Sequence, residues 1–130
     1  MGVAVKKTFA VLLIAAIAYT VTADFWQMHQ RKRMERTDCA NVMKGVSHLN
    51  AKCKAVNSFI IAPNKTVTGI CDKKNRVKGD LYQSNEPLRV VKCKRISRVP
   101  CQYGLDQSGL AYVRVFCHLG QPWHYEGEHF

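Results

Sequence analysis

The hydrophobic pattern begins with a short continuous apolar run. Residues 9–18 (FAVLLIAAIA) carry no charge and follow Lys6 and Lys7. A membrane-spanning helix needs about 20 apolar residues, so this run is too short to cross a bilayer and is typical of a secretory signal peptide. Small residues that suit cleavage end at Ala18 and at Ala23, and we favour the second site. We therefore expect a signal peptide over residues 1–23, with a membrane anchor as the minor alternative.

Helical spacing follows the apolar run. Four residues that recur every three or four positions would share one face of a short helix: Phe25, Met28, His29 and Lys32. His29 is therefore expected on the side of the helix that packs inward. A second short helix is predicted to run from Cys39 and to stop at Gly45.

From residue 55 onward the pattern changes to that of β-strands. The predicted strands, which are rich in β-branched and aromatic residues, comprise 55–62, 88–93, 99–103, 111–117 and 123–126. In the fourth, Ala111, Val113, Val115 and Cys117 alternate with Tyr112, Arg114 and Phe116, which is the period of a β-strand. Pro63 and Asn64 are expected to form a turn, residues 67–71 suit either a helix or a strand, and residues 73–80 suit a basic loop. Helices followed by an antiparallel meander are typical of an α+β fold. The length of 130 residues suits one domain, which we place at residues 24–130.

Six cysteines are spread along the chain, and no two of them form a C-x-x-C pair. In an exported chain, an even number of widely spaced cysteines predicts disulfides rather than a zinc or redox site. We therefore expect three bridges, and the spacing alone leaves their pairing open.

The chain is strongly basic, with a formal net charge of +11. Lys6 and Lys7 of the expected signal peptide contribute part of this charge, and the rest belongs to the mature domain. A surface of this kind attracts nucleic acid, anionic membranes or acidic glycans. The charge therefore indicates a polyanionic partner but does not distinguish among these three.

Histidine is the most direct source of acid–base chemistry near neutral pH. The chain has five candidates: His29, His48, His118, His124 and His129. The G-x-S-x-G, H-E-x-x-H and Walker motifs are missing from the sequence, so serine hydrolases, zinc proteases and nucleotidases have no motif support.

Three motifs give the histidines a context. Residues 53–59 read CKAVNSF, residues 25–29 read FWQMH, and residues 122–126 read PWHYE. The first resembles the CK-x-x-N-T-F signature of the secreted pancreatic ribonuclease (ribonuclease A) superfamily. The other two resemble the helix that carries the first catalytic histidine of that family and the PVHFD segment that carries the second. Residues 93–94 and 100–103 are similar to the matching stretch of angiogenins, and the resemblance covers the whole mature chain.

The resemblance implies a fold and a disulfide pairing. It implies short N-terminal helices packed on a bent antiparallel sheet, with the bridges Cys39–Cys93, Cys53–Cys101 and Cys71–Cys117. The additional bridge of pancreatic ribonucleases is missing, as in angiogenins. The short spacing from His29 to Cys39 is more similar to the amphibian ribonuclease branch, although the C-terminal cysteine of that branch is missing, so the subfamily stays open.

The resemblance also implies a reaction, which the residues can support chemically. Cleavage of RNA by its own 2′-hydroxyl needs a base, an acid and a cation beside the phosphate. His29, His124 and Lys54 would fill these roles in that order, through a 2′,3′-cyclic phosphate and without a metal or other cofactor. By resemblance, substrate-binding residues are Asn57, Ser58, Tyr125 and Glu126, of which Ser58 and Tyr125 would favour a pyrimidine.

Four residues depart from the family pattern, and together they suggest low activity. Met28 replaces a glutamine that contacts phosphate, and Trp123 replaces a small valine beside the site. Ser58 lacks the methyl group of threonine. Glu126 replaces the aspartate that orients the second histidine, and its longer side chain would hold His124 less firmly.

Other features are less specific. Basic clusters at residues 31–36, 73–78 and 92–98 suit either solvated faces or phosphate contacts. Asn64 begins an N-glycosylation sequon, which is accessible if it lies in the expected turn. His48, His118 and His129 are expected to be surface residues.

Two hypotheses of different classes remain. The first is a secreted, pyrimidine-preferring endoribonuclease with RNA as its partner and an angiogenin-like or host-defence role. The second is a cationic protein that binds anionic membranes or cell-surface glycans and retains weak or vestigial catalysis. A monomer is the default for both.

Overall fold

The computed structural model describes residues 24–46 and 53–130 of the chain. The expected signal peptide over residues 1–23 lies outside the described residues, and so does His48. No helix in the described part is long and apolar enough to cross a membrane.

Three short α-helices lie in the first half of the described chain. They are α1 at residues 24–29, α2 at Cys39–Val46 and α3 at Asn64–Thr68. Two 3₁₀ turns follow, at Gly69–Cys71 and Lys73–Asn75. Residues 67–71, whose sequence suited a helix or a strand, are therefore helical.

The strands occupy most of the second half. They are β1 (Gln30–Arg31), β2 (Val56–Ile61), β3 (Arg76–Lys78), β4 (Leu81–Gln83), β5 (Leu88–Arg98), β6 (Cys101–His118) and β7 (Gln121–His129). They form one seven-stranded sheet in the order β1-β2-β5-β6-β4-β3, with β7 also paired to β6. The pairs are antiparallel except β1–β2, which is parallel, so the sheet is mixed. This architecture confirms the predicted α+β class.

Several predicted element boundaries are wrong. The first helix ends at His29 because Gln30 pairs with Ile60 as the start of β1, so Lys32 is exposed beyond the helix. Gly45 lies inside α2 and does not end it. Asn64 begins α3, with Pro63 as its N-cap, so the two do not form the expected turn.

The predicted strand at residues 99–103 is also wrong in part, because Val99 and Pro100 form the turn between β5 and β6. The expected basic loop at 73–80 contains a 3₁₀ turn and the short strand β3.

Two hydrophobic clusters cover opposite faces of the sheet. Successive strand residues point to opposite faces, and accordingly Ile60 belongs to the first cluster while Phe59 belongs to the second. The first cluster receives Phe25 of α1, and the second receives Met43 of α2. The alternation predicted for residues 111–117 of β6 is confirmed, because Ala111, Val113, Val115 and Cys117 are buried. The two faces therefore anchor different helices.

Three disulfides join α2, the irregular segment before β2 and the first 3₁₀ turn to the long strands β5 and β6. Their pairs are Cys39–Cys93, Cys53–Cys101 and Cys71–Cys117. These are the pairs that the family resemblance implies, and each closes a loop of roughly fifty residues. In the chain-entropy model, a disulfide that closes a loop of this size lowers the entropy of the unfolded chain and so stabilises the fold by about 4 kcal/mol.

The contribution of the first cluster can be measured at Ile60, which is 0% exposed. We expect Ile60→Ala to lower the free energy of unfolding by about 2–5 kcal/mol, because the substitution leaves a cavity under β2. Ile96 is 62% exposed, so Ile96→Ala makes the same chemical change at the surface and should alter stability by less than about 0.5 kcal/mol. Guanidinium denaturation followed by circular dichroism measures both. Equal losses would contradict the assignment of Ile60 to the core.

Candidate active site

One open cavity, of about 270 Å³, brings together residues that are distant in sequence. The residues lining it are Asp24, Phe25, Met28, His29, Lys54, Trp123, His124 and Tyr125. They come from α1, from the segment before β2 and from β7. All three residues expected to be catalytic, His29, Lys54 and His124, therefore line the same cavity.

His29 is held in a defined orientation at the base of this cavity. Its ring stacks on Tyr125, with 4.8 Å between ring centroids, and its Nδ1 lies 2.9 Å from the carbonyl oxygen of Ser58. Because a carbonyl oxygen accepts but does not donate, Nδ1 must carry the proton. In the neutral ring, Nε2 is then left with its lone pair free to accept a proton.

Burial also keeps the His29 ring uncharged. Loss of solvent lowers the pKa of His29 from 6.5 to about 4, and the positive charges of Lys54 and His124 act in the same direction. The hydrogen bond to the Ser58 carbonyl opposes this change but is the smaller effect. His29 is therefore neutral near pH 7, which is the state that a general base requires.

Lys54 is fixed both through its side chain and through its backbone. Its Nζ donates to Oδ1 of Asn57 at 3.0 Å, and Nδ2 of Asn57 donates to the carbonyl of Met28 at 2.8 Å. This chain of bonds connects the lysine to α1. The backbone oxygen of Lys54 accepts a 2.6 Å bond from the hydroxyl of Tyr103. Partial burial lowers the pKa of Lys54.

The segment that presents Lys54 is secured on both sides. Arg95 donates to the carbonyl of Cys53 at 2.8 Å, and its backbone nitrogen donates to the carbonyl of Ala55 at 2.9 Å. The Cys53–Cys101 disulfide adds a covalent connection to β6. Lys54 therefore projects from an irregular segment that β5 and β6 hold in place.

His124 is exposed and packs beside two aromatic rings, which also contact each other. Its ring centroid is 5.7 Å from that of Phe116 and 5.5 Å from that of Trp123. The β6–β7 register shifts on each side of it, between Phe116 and Cys117 and between Arg114 and Val115. Trp123 and Glu126 are the residues of β7 left without a partner at these two shifts. Such bulges redirect side chains, so they help to turn His124 toward the cavity.

The remaining expected substrate-binding residues separate into two groups. Asn57 bridges Lys54 and α1, while Ser58 and Tyr125 lie together beside His29. Glu126 is exposed and, among the described residues, makes no hydrogen bond or ion pair with His124. The structure thus places Asn57, Ser58 and Tyr125 at the cavity or its margin and Glu126 outside its lining.

Glu128 is a polar residue of this region that sequence patterns did not reveal. The hydroxyl of Ser58 donates to Oε1 of Glu128 at 2.6 Å, across 70 residues of sequence. The hydroxyl of Tyr125 is buried, and it makes no hydrogen bond of good geometry with a described residue. Burial, followed by the charge of Glu128, raises the pKa of Tyr125. A contact at this separation leaves no local signal in the sequence.

The basic residues of the described chain are not equivalent. Arg31 lies 5.0 Å above the ring of Phe59 and donates to the carbonyl of Gln27 at 2.6 Å, so its guanidinium closes the end of α1. Arg89 pairs with Glu35 at 3.5 Å, and Lys92 lies 4.0 Å from Asp106. Lys32, Arg33 and other residues of these clusters are exposed to solvent: Arg36, Lys73, Lys74, Arg76, Lys78, Lys94 and Arg98.

The other candidates lie away from the cavity. Asn64 is exposed at the start of α3, and His118 and His129 are exposed on β6 and β7. Within residues 24–46 and 53–130, no group of three or more His, Cys, Asp or Glu side chains is arranged to hold a metal ion.

A family model described as pancreatic ribonuclease matches residues 20–128. The chain belongs to the pancreatic ribonuclease family. Mouse angiogenin-4 is 32% identical over 92 residues, covering 68% of this chain and 62% of the relative. Rhesus macaque angiogenin is 33% identical over 91 residues, covering 66% of this chain and 61% of the relative. The chain therefore spans less than two thirds of the length of each of these curated relatives.

Solved structures agree with this family membership. The X-ray structure of zebrafish RNase5 superposes with a TM-score of 0.70 at 30% identity, covering 82% of this chain and 92% of that one. The resemblance seen in the three sequence motifs is thus confirmed at the level of family and fold.

The buried state of His29 predicts a measurable dependence of stability on pH. Since the folded-state pKa of about 4 lies below the unfolded value of 6.5, only the unfolded chain takes up this proton between those values. The contribution of neutral His29 to the free energy of unfolding is therefore fully present above pH 6.5. It falls by about 3 kcal/mol as the pH drops through 4. Denaturation of the wild type and His29→Gln across this range measures the difference.

A ¹H–¹³C NMR titration supplies an independent measurement, with His29→Gln used to assign the resonance. We expect the His29 signal to titrate near pH 4. A midpoint at the ordinary histidine pKa of 6.5 would show that the ring is hydrated and would contradict its burial.

Proposed function

We propose that this member of the pancreatic ribonuclease family is a secreted endoribonuclease that cleaves single-stranded RNA through a 2′,3′-cyclic phosphate. One observation carries the proposal. His29, with Nδ1 bonded to Ser58 and a lowered pKa, lines one cavity with His124 and Lys54. A base, an acid and a cation are the three groups that this reaction needs.

In the first step, Nε2 of His29 removes the proton from the ribose 2′-hydroxyl. The 2′-oxygen then forms a bond to phosphorus, the bond from phosphorus to the 5′-oxygen breaks, and protonated His124 gives its proton to the departing oxygen. Lys54 lies beside the negative charge that grows on the phosphate oxygens. The products are a 2′,3′-cyclic phosphate and a free 5′-hydroxyl.

In the second step, the two histidines exchange roles. His124 takes a proton from water, the water oxygen bonds to phosphorus, and protonated His29 returns a proton to the 2′-oxygen as that bond breaks. The cycle restores both groups and leaves a 3′-phosphate. DNA lacks the 2′-hydroxyl and is not a substrate, and the mechanism uses neither a metal nor another cofactor.

The base on the 5′ side of the cleaved bond is proposed to be a pyrimidine. Tyr125 offers an aromatic ring beside His29, and Ser58 offers a hydroxyl and a backbone edge next to that ring. A single-ring base stacked near Tyr125 could present its hydrogen-bonding edge to Ser58, whereas a purine would extend further. This arrangement supports a preference for a pyrimidine on the 5′ side of the cleaved bond, without contacts to the other bases of the RNA.

The departures from the family pattern support a modest rate. Met28 lines the cavity with a thioether, which is a weak acceptor and not a donor to phosphate. Within the described part of the chain, Glu126 makes no hydrogen bond to His124, so the aromatic neighbours and the two bulges provide most of its orientation. A loosely held acid lowers the fraction of encounters that reach the reactive geometry.

Secretion and RNA binding complete the proposal. The apolar run at residues 9–18 and the three disulfides support export into an oxidising compartment. Without Lys6 and Lys7 of the signal peptide, the formal net charge falls from +11 to +9 on residues 24–130, and this charge supports salt-sensitive binding to the RNA backbone. We propose a monomer of residues 24–130 after removal of the signal peptide, with Asn64 as an exposed glycosylation site.

A second candidate function is binding to anionic membranes. The turn between β5 and β6 exposes 92% of Val99, and Ile96 nearby is 62% exposed. Arg98 is exposed beside them. A tip that combines apolar and cationic side chains suits an anionic lipid surface. Release of a dye from phosphatidylglycerol vesicles, compared between wild type and Val99→Ser, tests this candidate without reference to catalysis.

The catalytic role of His124 is tested with a fluorogenic oligonucleotide that contains one uridine. We expect His124→Ala to lower kcat/KM by about 10²–10⁴-fold, because the leaving oxygen loses its acid. His118→Ala is the matched control, since His118 is exposed and lies outside the cavity lining, and it should cleave as the wild type does.

Equal activity of the His124→Ala and His118→Ala variants would contradict the mechanism. Inactivity of the wild type as well, with vesicle binding retained, would favour the second candidate function. An all-deoxy oligonucleotide should remain intact in every case.

The base preference is tested with dinucleotides that differ in the 5′ nucleoside. We expect UpA and CpA together to be cleaved at least about tenfold faster than ApA and GpA, because Ser58 and Tyr125 form a small recognition surface. Steady-state kcat/KM values provide the comparison. Similar values for all four substrates would show that these two residues do not select the base.

A further inference from the structure

Glu128 contacts Ser58, the residue to which the proposed function assigns the hydrogen bond with the base. Its Oε1 accepts a 2.6 Å hydrogen bond from the hydroxyl of Ser58, and Ser58 is 6% exposed. Tyr125, which stacks on His29, has the same glutamate as a charged neighbour. The carboxylate therefore reaches the margin of the cavity next to the proposed base position.

The direction of this hydrogen bond has a consequence for Ser58. A carboxylate accepts hydrogen bonds but does not donate them, so the hydroxyl proton must point to Glu128. A serine hydroxyl has one proton and two lone pairs. While the bond to Glu128 is intact, Ser58 Oγ can therefore accept a hydrogen bond from a base but cannot donate one.

Uracil and cytosine differ at the atom that such a hydroxyl would meet. N3 of uracil carries a hydrogen and donates, whereas N3 of neutral cytosine has a lone pair and accepts. Uracil can bind to Ser58 Oγ with the Glu128 bond in place. Cytosine needs the hydroxyl proton, and the charge-assisted bond to Glu128 would have to break first.

We propose that Glu128 is a positioning residue that gives the site a preference for uridine over cytidine by keeping Ser58 as a hydrogen-bond acceptor. This inference rests on the proposed ribonuclease function and deepens it. Glu128 acts through Ser58 and does not take part in proton transfer. Its effect is therefore expected in the ratio of the kcat/KM values for uridine and cytidine substrates.

The test measures kcat/KM for UpA and CpA with the mature, disulfide-bonded protein. We expect Glu128→Ala to lower the UpA:CpA ratio by about tenfold, because the freed hydroxyl can donate as well as accept. Glu128→Gln keeps an oxygen that accepts from Ser58 and should retain part of the preference. Glu86→Gln removes a charge from an exposed residue outside the cavity lining and should leave the ratio unchanged.

A double-mutant comparison separates this role from a structural one. In the Ser58→Ala background there is no hydroxyl to orient, so adding Glu128→Ala should produce no further change in the ratio. Circular dichroism and the NMR signal of His29 report whether each variant is folded.

The outcomes distinguish the proposal from its alternatives. An unchanged ratio with faster cleavage of both substrates would mean that Glu128 covers the site, and a higher ratio would mean that its carboxylate contacts the base directly; either overturns the proposal. A change in the ratio that persists without Ser58 also overturns it. Wild type that cleaves neither dinucleotide would instead refute the proposed function, because the ratio would then have no substrate to describe.

Discussion

The hydrogen bond from Nδ1 of His29 to the carbonyl of Ser58 connects most of what the site does. It spans 29 residues and joins α1 to β2, so it exists only when the helix has docked on the sheet. The same bond fixes the tautomer of His29 and leaves Nε2 as the acceptor. Phe25 packing and the short parallel pair β1–β2 bring the helix to this position. Docking of the helix and preparation of the proposed base are therefore one event.

Burial creates the chemistry of this site at an energetic cost. A histidine in contact with Tyr125 and away from water resists protonation, which keeps it ready to accept a proton but makes the fold less stable in acid. Lys54 meets the same constraint, since its partly buried ammonium group bonds to Asn57. These polar groups are held by hydrogen bonds to backbone and amide oxygens, which orient them without cancelling the positive charge of Lys54.

Patterns of neighbouring residues predicted the features that depend on the periodicity of a single helix or strand. The alternation of Ala111, Val113 and Val115 identified the buried face of β6, and helical spacing placed Phe25 and His29 on the inward side of α1. Predictions were wrong where a contact from elsewhere prevailed, as at Lys32, where pairing of β1 with β2 ends the helix. Family motifs identified His29, Lys54 and His124, whereas the bond between Ser58 and Glu128 depends on the register of two distant strands.

The two register shifts around His124 depend on the backbone of β7 and not only on its side chains. Trp123 and Glu126 are the extra residues of β7, and each occupies space that no partner residue on β6 matches. What the backbone uses at these positions is one additional unit of main chain, while the ring of Trp123 also contacts His124 and lines the cavity. Loss of either residue would leave the other pairs of β6 and β7 unchanged, because only an unpaired residue is removed, but it would straighten the strand beside His124. The extra residues thus set the direction of the chain at His124 and leave the strand register as it is.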